Sequence, residues 1–253
     1  MIAVADLAQA IADYRRLGFT VEEGGEHPGR GSRNALVVFA DGSYFELIAF
    51  SRPDPDFRWW RVLDRAGPGL VDFALLPDDI DRDVAAIQSR GLDVESPIEG
   101  GRARPDGVRL EWKTARSPSS DTPFFCGDVT PRALRVVPEG AVRSHRNGAQ
   151  GIGVVVVAVS DLDRSIARYS ALLGEPAALS FVLPGSGLRL AQLRIGQTTV
   201  VLASPSGNGS SDKLIAAHLG TRGEGPVSIG LTGAKPAILD PALTHGAALE
   251  FIG

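Results

Sequence analysis

The sequence predicts an α+β fold of four repeated units, each a strand, a helix and three strands (βαβββ), with the fourth unit incomplete. Two observations support this prediction. Residues 3–7, Ala-Val-Ala-Asp-Leu, return almost unchanged at residues 158–162 as Ala-Val-Ser-Asp-Leu. A glycine that ends a predicted helix recurs at near-equal separations, at Gly18, Gly91, Gly174 and Gly246. Self-similarity at a nearly fixed period is typical of an architecture built from repeated supersecondary units.

Composition excludes several classes of protein. The 253 residues are 43% hydrophobic and 22% charged, with a net charge of −4, as in an ordinary globular protein. The sequence contains no cluster of basic residues with interleaved aromatics, so no nucleic-acid partner is expected. It contains no apolar run long enough to span a membrane, so no membrane partner is expected. A single cysteine, Cys126, excludes an internal disulfide, and the cytoplasm is the expected compartment. The sequence leaves a homodimer open.

The first unit begins with a short apolar strand at residues 1–5, followed by Asp6, which we expect to cap a helix. Gly18 ends that helix, and residues 19–21 read as the next strand. Residues 22–33 are rich in glycine and charge and are therefore predicted to form a loop.

A hairpin then forms around Asp41-Gly42, a dipeptide that favours a tight turn. Period-two alternation places Tyr44, Glu46 and Ile48 on one face of its second strand. Both faces are largely apolar, so Glu46 is a carboxylate in a covered strand. Such a group either serves a site or pairs with a neighbouring arginine, and the sequence leaves both open.

The later units show the same order of strand, helix and strands, with fewer sequence motifs to mark each element. We predict strands at residues 73–76 and 92–94 around a helix capped by Asp79, and a helix at residues 236–245 in the fourth unit. The predicted halves are residues 1–136 and 151–253, joined by a linker at residues 137–150. Their modules span residues 1–52, 68–136, 151–205 and 225–253.

With this repeat, several short motifs resemble the glyoxalase-like domain proteins of the vicinal oxygen chelate superfamily: His27–Leu36, Gly42–Ile48, Arg102–Gly107, Pro123–Phe125 and Asp128–Arg132. The resemblance implies mixed sheets that curl into cups, with one apolar small-molecule cup in the first half. It implies lyase, isomerase or dioxygenase chemistry on a small oxygenated compound. The alternative is a metal-free binding protein, similar to the drug-sequestering, bleomycin-resistance members.

The resemblance also implies where a metal would be held, by His or Gln and Glu on the first and last strands of paired modules. Glu46 matches the last-strand position, whereas its counterpart in the third unit is Val200. Gly153 stands at a first-strand position, and Arg33 replaces a histidine common in relatives. We therefore expect no cofactor, although Glu46 leaves a divalent metal open as the alternative.

Glu46 is the expected catalytic residue, as general base or metal ligand. The residues expected to bind substrate are polar or aromatic, and they lie on predicted strands or at a loop-to-helix junction: Arg33, Asn34, Tyr44, Trp59, Arg102, Arg104 and Trp112. For the two arginines of the second unit, the rival use is a structural ion pair with Glu46, Asp106 or Asp128. His145, His218 and His245 are expected to be exposed.

Overall fold

A computed structural model describes residues 1–27, 29–104, 107–207 and 209–253. The predicted partner Asp106 lies outside the described residues. The helices are α1 Leu7–Arg16, α2 Arg58–Ala66, α3 Ile80–Ser89, α4 Arg132–Arg135, α5 Leu162–Leu173 and α6 Ser210–Thr221. The strands are β1 Ile2–Ala3, β2 Glu22–His27, β3 Ser32–Val38, β4 Tyr44–Phe50, β5 Gly69–Leu70, β6 Ala74–Leu75, β7 Ile98–Ala103, β8 Arg109–Ala115, β9 Phe124–Asp128, β10 Gly151–Ala158, β11 Ser180–Leu183, β12 Leu188–Ile195, β13 Thr198–Pro205, β14 Gly225–Thr232, β15 Ala237–Ile238 and β16 Ala248–Phe251.

The sheet topology confirms the α+β fold and the predicted order of the units. The first sheet runs β2-β3-β4-β1-β5, and the second runs β6-β9-β8-β7. In each of the first three units the opening strand lies parallel to the closing strand, which pairs β1 with β4, β6 with β9 and β10 with β13. The third sheet, β11-β12-β13-β10-β14-β16-β15, joins the third and fourth units.

Three of the helices begin at an aspartate, as expected for residues whose carboxylate can accept from free amides at a helix N-terminus. Asp6 accepts hydrogen bonds from the amides of Ala8 and Gln9 at the start of α1. Asp79 and Asp161 do the same for α3 and α5, each from the amide three residues further on. The caps predicted at Asp6 and Asp79 are therefore confirmed, and Asp161 repeats the arrangement in the third unit. Among the described residues, no helix is both long and apolar enough to cross a membrane.

The hydrophobic core of the first unit extends into the fourth. Tyr14 and Phe19 belong to the same buried cluster as Leu231, Leu249 and Phe251. The hydroxyl of Tyr14 donates to the carbonyl of Thr244 at 3.2 Å. The second unit shares its own core with α5 of the third unit. The two halves are thus joined by shared cores, and the predicted domain boundaries stay a prediction.

Two strands lie later in the chain than predicted. The second strand of the first unit spans Glu22–His27 instead of residues 19–21, and that of the second unit spans Ile98–Ala103 instead of 92–94. Both strands contain a Gly-Gly pair, so their composition predicts a loop. Pairing with β3 and β8 holds them in the sheets, because strand formation depends on neighbours more than on intrinsic preference.

The helix predicted at residues 236–245 is wrong. The segment contains β15 and a turn, and the Asp240 carboxylate accepts from the Ala242 amide within that turn. Pro241 has no amide hydrogen to donate and would interrupt a helix at this point. Gly246 therefore ends a turn.

The predicted linker is closely bonded to the first unit. His145 was expected to be exposed, and this is wrong, because the side chain is only 8% exposed. Its Nδ1 accepts from the Thr20 amide at 3.0 Å, and its Nε2 lies 3.1 Å from the Val38 carbonyl. The ring packs edge-on against Phe19 and Phe39. Burial lowers the pKa of His145, which fits a neutral ring with its proton on Nε2.

Candidate functional site

A cavity of about 780 Å³ lies between the two sheets of the first half. One wall is formed by β3 and β4, the other by β7, β8 and β9, and the start of α2 closes one end. We call this cavity the cup. Its lining combines charged and polar side chains with apolar ones, so the cup is less apolar than predicted. The cup does lie in the first half, as predicted.

Asn34 and Glu46 form the polar centre of the first wall. The Asn34 amide nitrogen donates to Glu46 Oε1 at 2.8 Å. Asn34 is held in turn by the amide of Gly25, which donates to its Oδ1 at 3.0 Å. A Cβ on the neighbouring Gly24 would stand 2.0 Å from that oxygen, so only glycine allows this close approach. The β2 backbone therefore fixes the amide that orients Glu46.

Tyr44 lies next to Glu46 on the same face of β4, and its hydroxyl is bound by an arginine of α4, the helix that follows the second sheet. Arg135 Nη1 donates to the Tyr44 hydroxyl at 2.6 Å. The same guanidinium binds both carboxylate oxygens of Asp128, at 2.6 and 2.9 Å. Burial raises the pKa of Tyr44 to about 12, so the phenol stays protonated at neutral pH. Sequence reasoning missed Arg135, since nothing in the pattern of α4 points toward the cup.

Cys126 on β9 also lines the cup and is half-buried. Burial raises the pKa of its thiol to about 11, which keeps it protonated at neutral pH. A protonated thiol is a weak nucleophile and a weak metal ligand. Cys126 therefore serves as a small, polarisable wall residue.

Trp59 closes one end of the cup from the first turn of α2. Its ring is 8% exposed and packs 5.4 Å from the ring of Phe124, centroid to centroid. The indole Nε1 donates to Asp72 at 2.8 Å. Asp72 is fully buried and also binds Arg58 and Arg116, at 3.0 and 3.4 Å. The Phe73 amide also donates to this carboxylate, and a buried carboxylate with four donors has few other positions, so this anchor fixes the indole.

Trp112 and His27 meet at the opposite side. Their rings are perpendicular, with centroids 6.3 Å apart. The cross-strand partner of Trp112 is Gly100, which leaves room for the indole over β7. His27 Nδ1 lies 3.0 Å from the Ser32 hydroxyl, and burial lowers the pKa of His27 despite the opposing charge of Glu46. The sequence around His27 carries part of the family resemblance, but its spacing did not predict a site role for the histidine.

Of the residues predicted from the sequence, the structure brings six together around the cup: Asn34, Tyr44, Glu46, Trp59, Arg102 and Trp112. Arg33 is exposed on the opposite face of β3, because adjacent strand residues point to opposite faces, and so it does not reach the cup. Arg104 does not line the cup either, and its Nη1 donates to the Leu134 carbonyl at 3.2 Å. The structure thus separates Arg33 and Arg104 from the remaining six.

The cup residues do not fit a divalent metal. Among the described residues, no group of three His, Cys, Asp or Glu side chains is arranged to hold an ion. Glu46 Oε1 is engaged by Asn34, Cys126 is a protonated thiol, and the guanidinium groups of Arg102 and Arg135 line the same cavity. Positive charges in the same cavity disfavour a bound cation. The absence of a cofactor remains a prediction.

The repeated units and the cup define a protein of the vicinal oxygen chelate class, in which βαβββ units surround a small-molecule site. The family model described as a glyoxalase-like domain matches residues 1–173, which is more than half of the chain. The chain therefore belongs to the glyoxalase-like domain family. No curated protein matches the sequence.

Solved structures share this fold at low sequence identity. A hypothetical protein from Staphylococcus aureus has a TM-score of 0.70 and 14% identity, over 99% of this chain and 96% of its own. A variant of 4-hydroxymandelate synthase from Streptomyces coelicolor has a TM-score of 0.62 and 16% identity, over 91% and 69%. A fusion of a xylose isomerase-like TIM barrel with 4-hydroxyphenylpyruvate dioxygenase has a TM-score of 0.56 and 19% identity, over 93% and 36%. These likenesses show the fold.

Proposed function

We propose that this protein is a lyase or isomerase that moves a proton on a small oxygenated compound in the cup, with Glu46 as the general base. The observation that carries the proposal is the setting of Glu46. It faces the cavity, and among the described residues Asn34 is the only donor to its carboxylate. A structural carboxylate on a covered strand would be expected to have a cationic partner in hydrogen-bond contact.

The cup residues support a simple proton transfer. Glu46 would take a proton from a carbon next to a carbonyl, and the electron pair would move onto the carbonyl oxygen to form an enolate. The positive charge of Arg102 in the same cavity would stabilise that oxygen. Return of the proton to the opposite face of the same carbon gives an epimer, and return to another carbon gives an isomer where a double bond or an adjacent hydroxyl extends the enolate. Departure of a leaving group from the adjacent carbon, as the carbonyl re-forms, gives an elimination. These residues support such a transfer better than a metal-dependent dioxygenation.

The second candidate function is binding without chemistry. It is favoured by the aromatic side chains Phe57, Trp59 and Trp112, which line the cup together with its charged groups. Aromatic surfaces hold ligands through large buried areas and need no reactive group.

Solvent exchange separates the two candidates. We would incubate the protein in D₂O with a panel of aryl and alkyl ketones and keto acids, and follow the C–H signals next to the carbonyl by proton NMR. The wild-type protein should accelerate exchange of at least one compound over buffer. Glu46→Gln should lower that rate by about 10²–10⁴-fold, the usual contribution of a general base.

Glu250→Gln is the matched control, because Glu250 is exposed on β16 in the second half. Exchange that survives in Glu46→Gln would exclude Glu46 as the base. Binding of panel compounds without any accelerated exchange would establish the second candidate instead.

A further inference from the structure

Arg102 lies in β7 with its side chain directed into the gap where the two sheets of the first half approach each other. It is 5% exposed, so its guanidinium is almost wholly removed from water. A Cβ at Gly25 of β2 would stand 2.7 Å from Arg102 Nη1, so the guanidinium lies against the β2 backbone. Leu110, the partner of Arg102 across β8, is fully buried on the same face.

This guanidinium has no hydrogen-bond acceptor in the described part of the chain. Its Nη1 is buried without a partner, and no other residue accepts from the group. Two of the five N–H donors of an arginine belong to Nη1, and buried donors are normally paired. Leaving them unpaired is unfavourable, because the lost contacts with water are not replaced. A protein that keeps such a group is expected to complete it with a ligand.

The surrounding charges favour an anion. Glu46 attracts Arg102 through space but makes no hydrogen bond with it, while Arg104 and Arg135 add positive potential. The carboxylate of Asp128 is already bound by Arg135 and Arg132. Glu46 would repel a second negative charge nearby, so a singly charged ligand is favoured over a doubly charged one.

The remaining walls favour a ligand with an apolar body. Ile48, Phe57 and Trp59 line one end of the cup, and Trp112 lines the side that carries Arg102. A volume of about 780 Å³ accommodates a compound considerably larger than a simple carboxylate ion. Planar carboxylates match the arrangement of guanidinium N–H groups, which can bind both oxygens at once.

We propose that the cup takes a small organic monocarboxylate with an apolar body, and that its carboxylate binds the guanidinium of Arg102. This inference rests on the proposed function, since it names the substrate class of the same cup. Arg102 would then bind the carboxylate and stabilise the nearby enolate oxygen through its charge, whereas Glu46 carries the proton transfer. Binding and proton transfer can therefore fail separately.

The test compares carboxylates with neutral compounds of the same shape. We would titrate the full chain with phenylacetate, 3-phenylpropanoate and indole-3-acetate, and with the corresponding primary amides, by calorimetry and ligand-observed NMR. At least one carboxylate should bind about tenfold or more tightly than its amide. Equal binding of acid and amide would overturn the proposal, as would failure of every carboxylate to bind at millimolar concentration.

Two variants assign the effect to Arg102. Arg102→Gln should abolish the preference for the carboxylate, and Arg102→Lys should restore part of it through charge alone. Thermal melts of the ligand-free variants show that they are folded, and Arg102→Gln should melt no lower than the wild type because it removes an unpaired buried charge. A wild-type preference that survives in Arg102→Gln would overturn the assignment. Arg194→Gln, on an exposed position of β12, is the control.

Glu46→Gln separates this inference from the proposed function. Removing the like charge should leave carboxylate binding intact or tighten it, whereas proton exchange should be lost. Loss of exchange with intact binding supports both ideas. Intact exchange with intact binding excludes only Glu46 as the base, and equal binding of acids and amides excludes only the carboxylate class.

Discussion

The first and third units fold in the same way, yet in the described part of the chain the cup lies against the first unit and has no counterpart of similar size at the third. In the first half, Ile2 pairs with Leu47, and in the second half Val157 pairs with Leu202. This register makes Val201 the counterpart of Glu46. The assignment of Val200 from the spacing after the turn glycine is therefore wrong by one residue, because the two hairpin loops differ in length.

The two halves also differ in the structure that faces Glu46 and Val201. In the first half, β7, β8 and β9 of the second unit supply the opposite wall. In the second half, the fourth unit contributes only β14, β15 and β16 to the same sheet as the third, so no facing sheet is present among the described residues. The helices α2 and α6 each cover one end of the corresponding face. A complete partner unit, more than the hairpin itself, is what makes the cup.

The largest expected loss of stability tests whether side chains of the fourth unit complete the hydrophobic core of the first. Phe251 is 5% exposed within that core, so Phe251→Ala should lower the free energy of unfolding by about 3–5 kcal/mol. Phe181, 43% exposed on β11, is the matched control, and Phe181→Ala should change it by less than about 1 kcal/mol. Chemical denaturation measures both. Similar losses for the two variants would contradict the shared core.

A second pair of variants exchanges the chemistry of the two halves. Val201→Glu places a carboxylate at a half-buried position of β13 whose cross-strand neighbour is the exposed Gln192. It should destabilise the protein by about 1–3 kcal/mol, because the charge is partly removed from water without a cationic partner. Glu46→Gln keeps an oxygen that can accept from Asn34, so its melting temperature should stay level or rise. A large loss for Glu46→Gln would show that the carboxylate is a structural charge.

The smallest expected effect is the loss of folding stability at acidic pH. Burial lowers the pKa of His145 in the linker, and it lowers that of His218 on α6 to about 4. Such a histidine takes up a proton more readily when unfolded. Stability is therefore full above the unfolded pKa of about 6.5 and falls as the pH drops toward the folded value.

Thermal melts from about pH 7.5 to about pH 4.5 should show this decline, and His145→Gln should flatten it by removing one titrating group. A glutamine can still accept from the Thr20 amide and donate to the Val38 carbonyl. An unchanged pH profile in His145→Gln would mean that other groups dominate the acid response.

The sequence was informative where local chemistry decides the structure. The caps at Asp6, Asp79 and Asp161 depend only on residues nearby, and the hairpin alternation correctly grouped Tyr44 with Glu46. Predictions from the sequence failed where contacts between distant residues determine the structure. The strands β2 and β7 exist because neighbouring strands hold glycine-rich segments. Arg135 reaches Tyr44 across 91 positions, which no local pattern can encode.

The union of the first and fourth units has a consequence for synthesis on the ribosome. Tyr14 and Thr244 are separated by 230 positions, so the first core stays incomplete until almost the whole chain has emerged. At roughly 5–20 residues per second, this delay is on the order of ten seconds or more. During that interval the apolar faces of α1 and β4 are open to other nascent chains. The polypeptide is therefore expected to depend on chaperone protection until its C-terminal strands close the core.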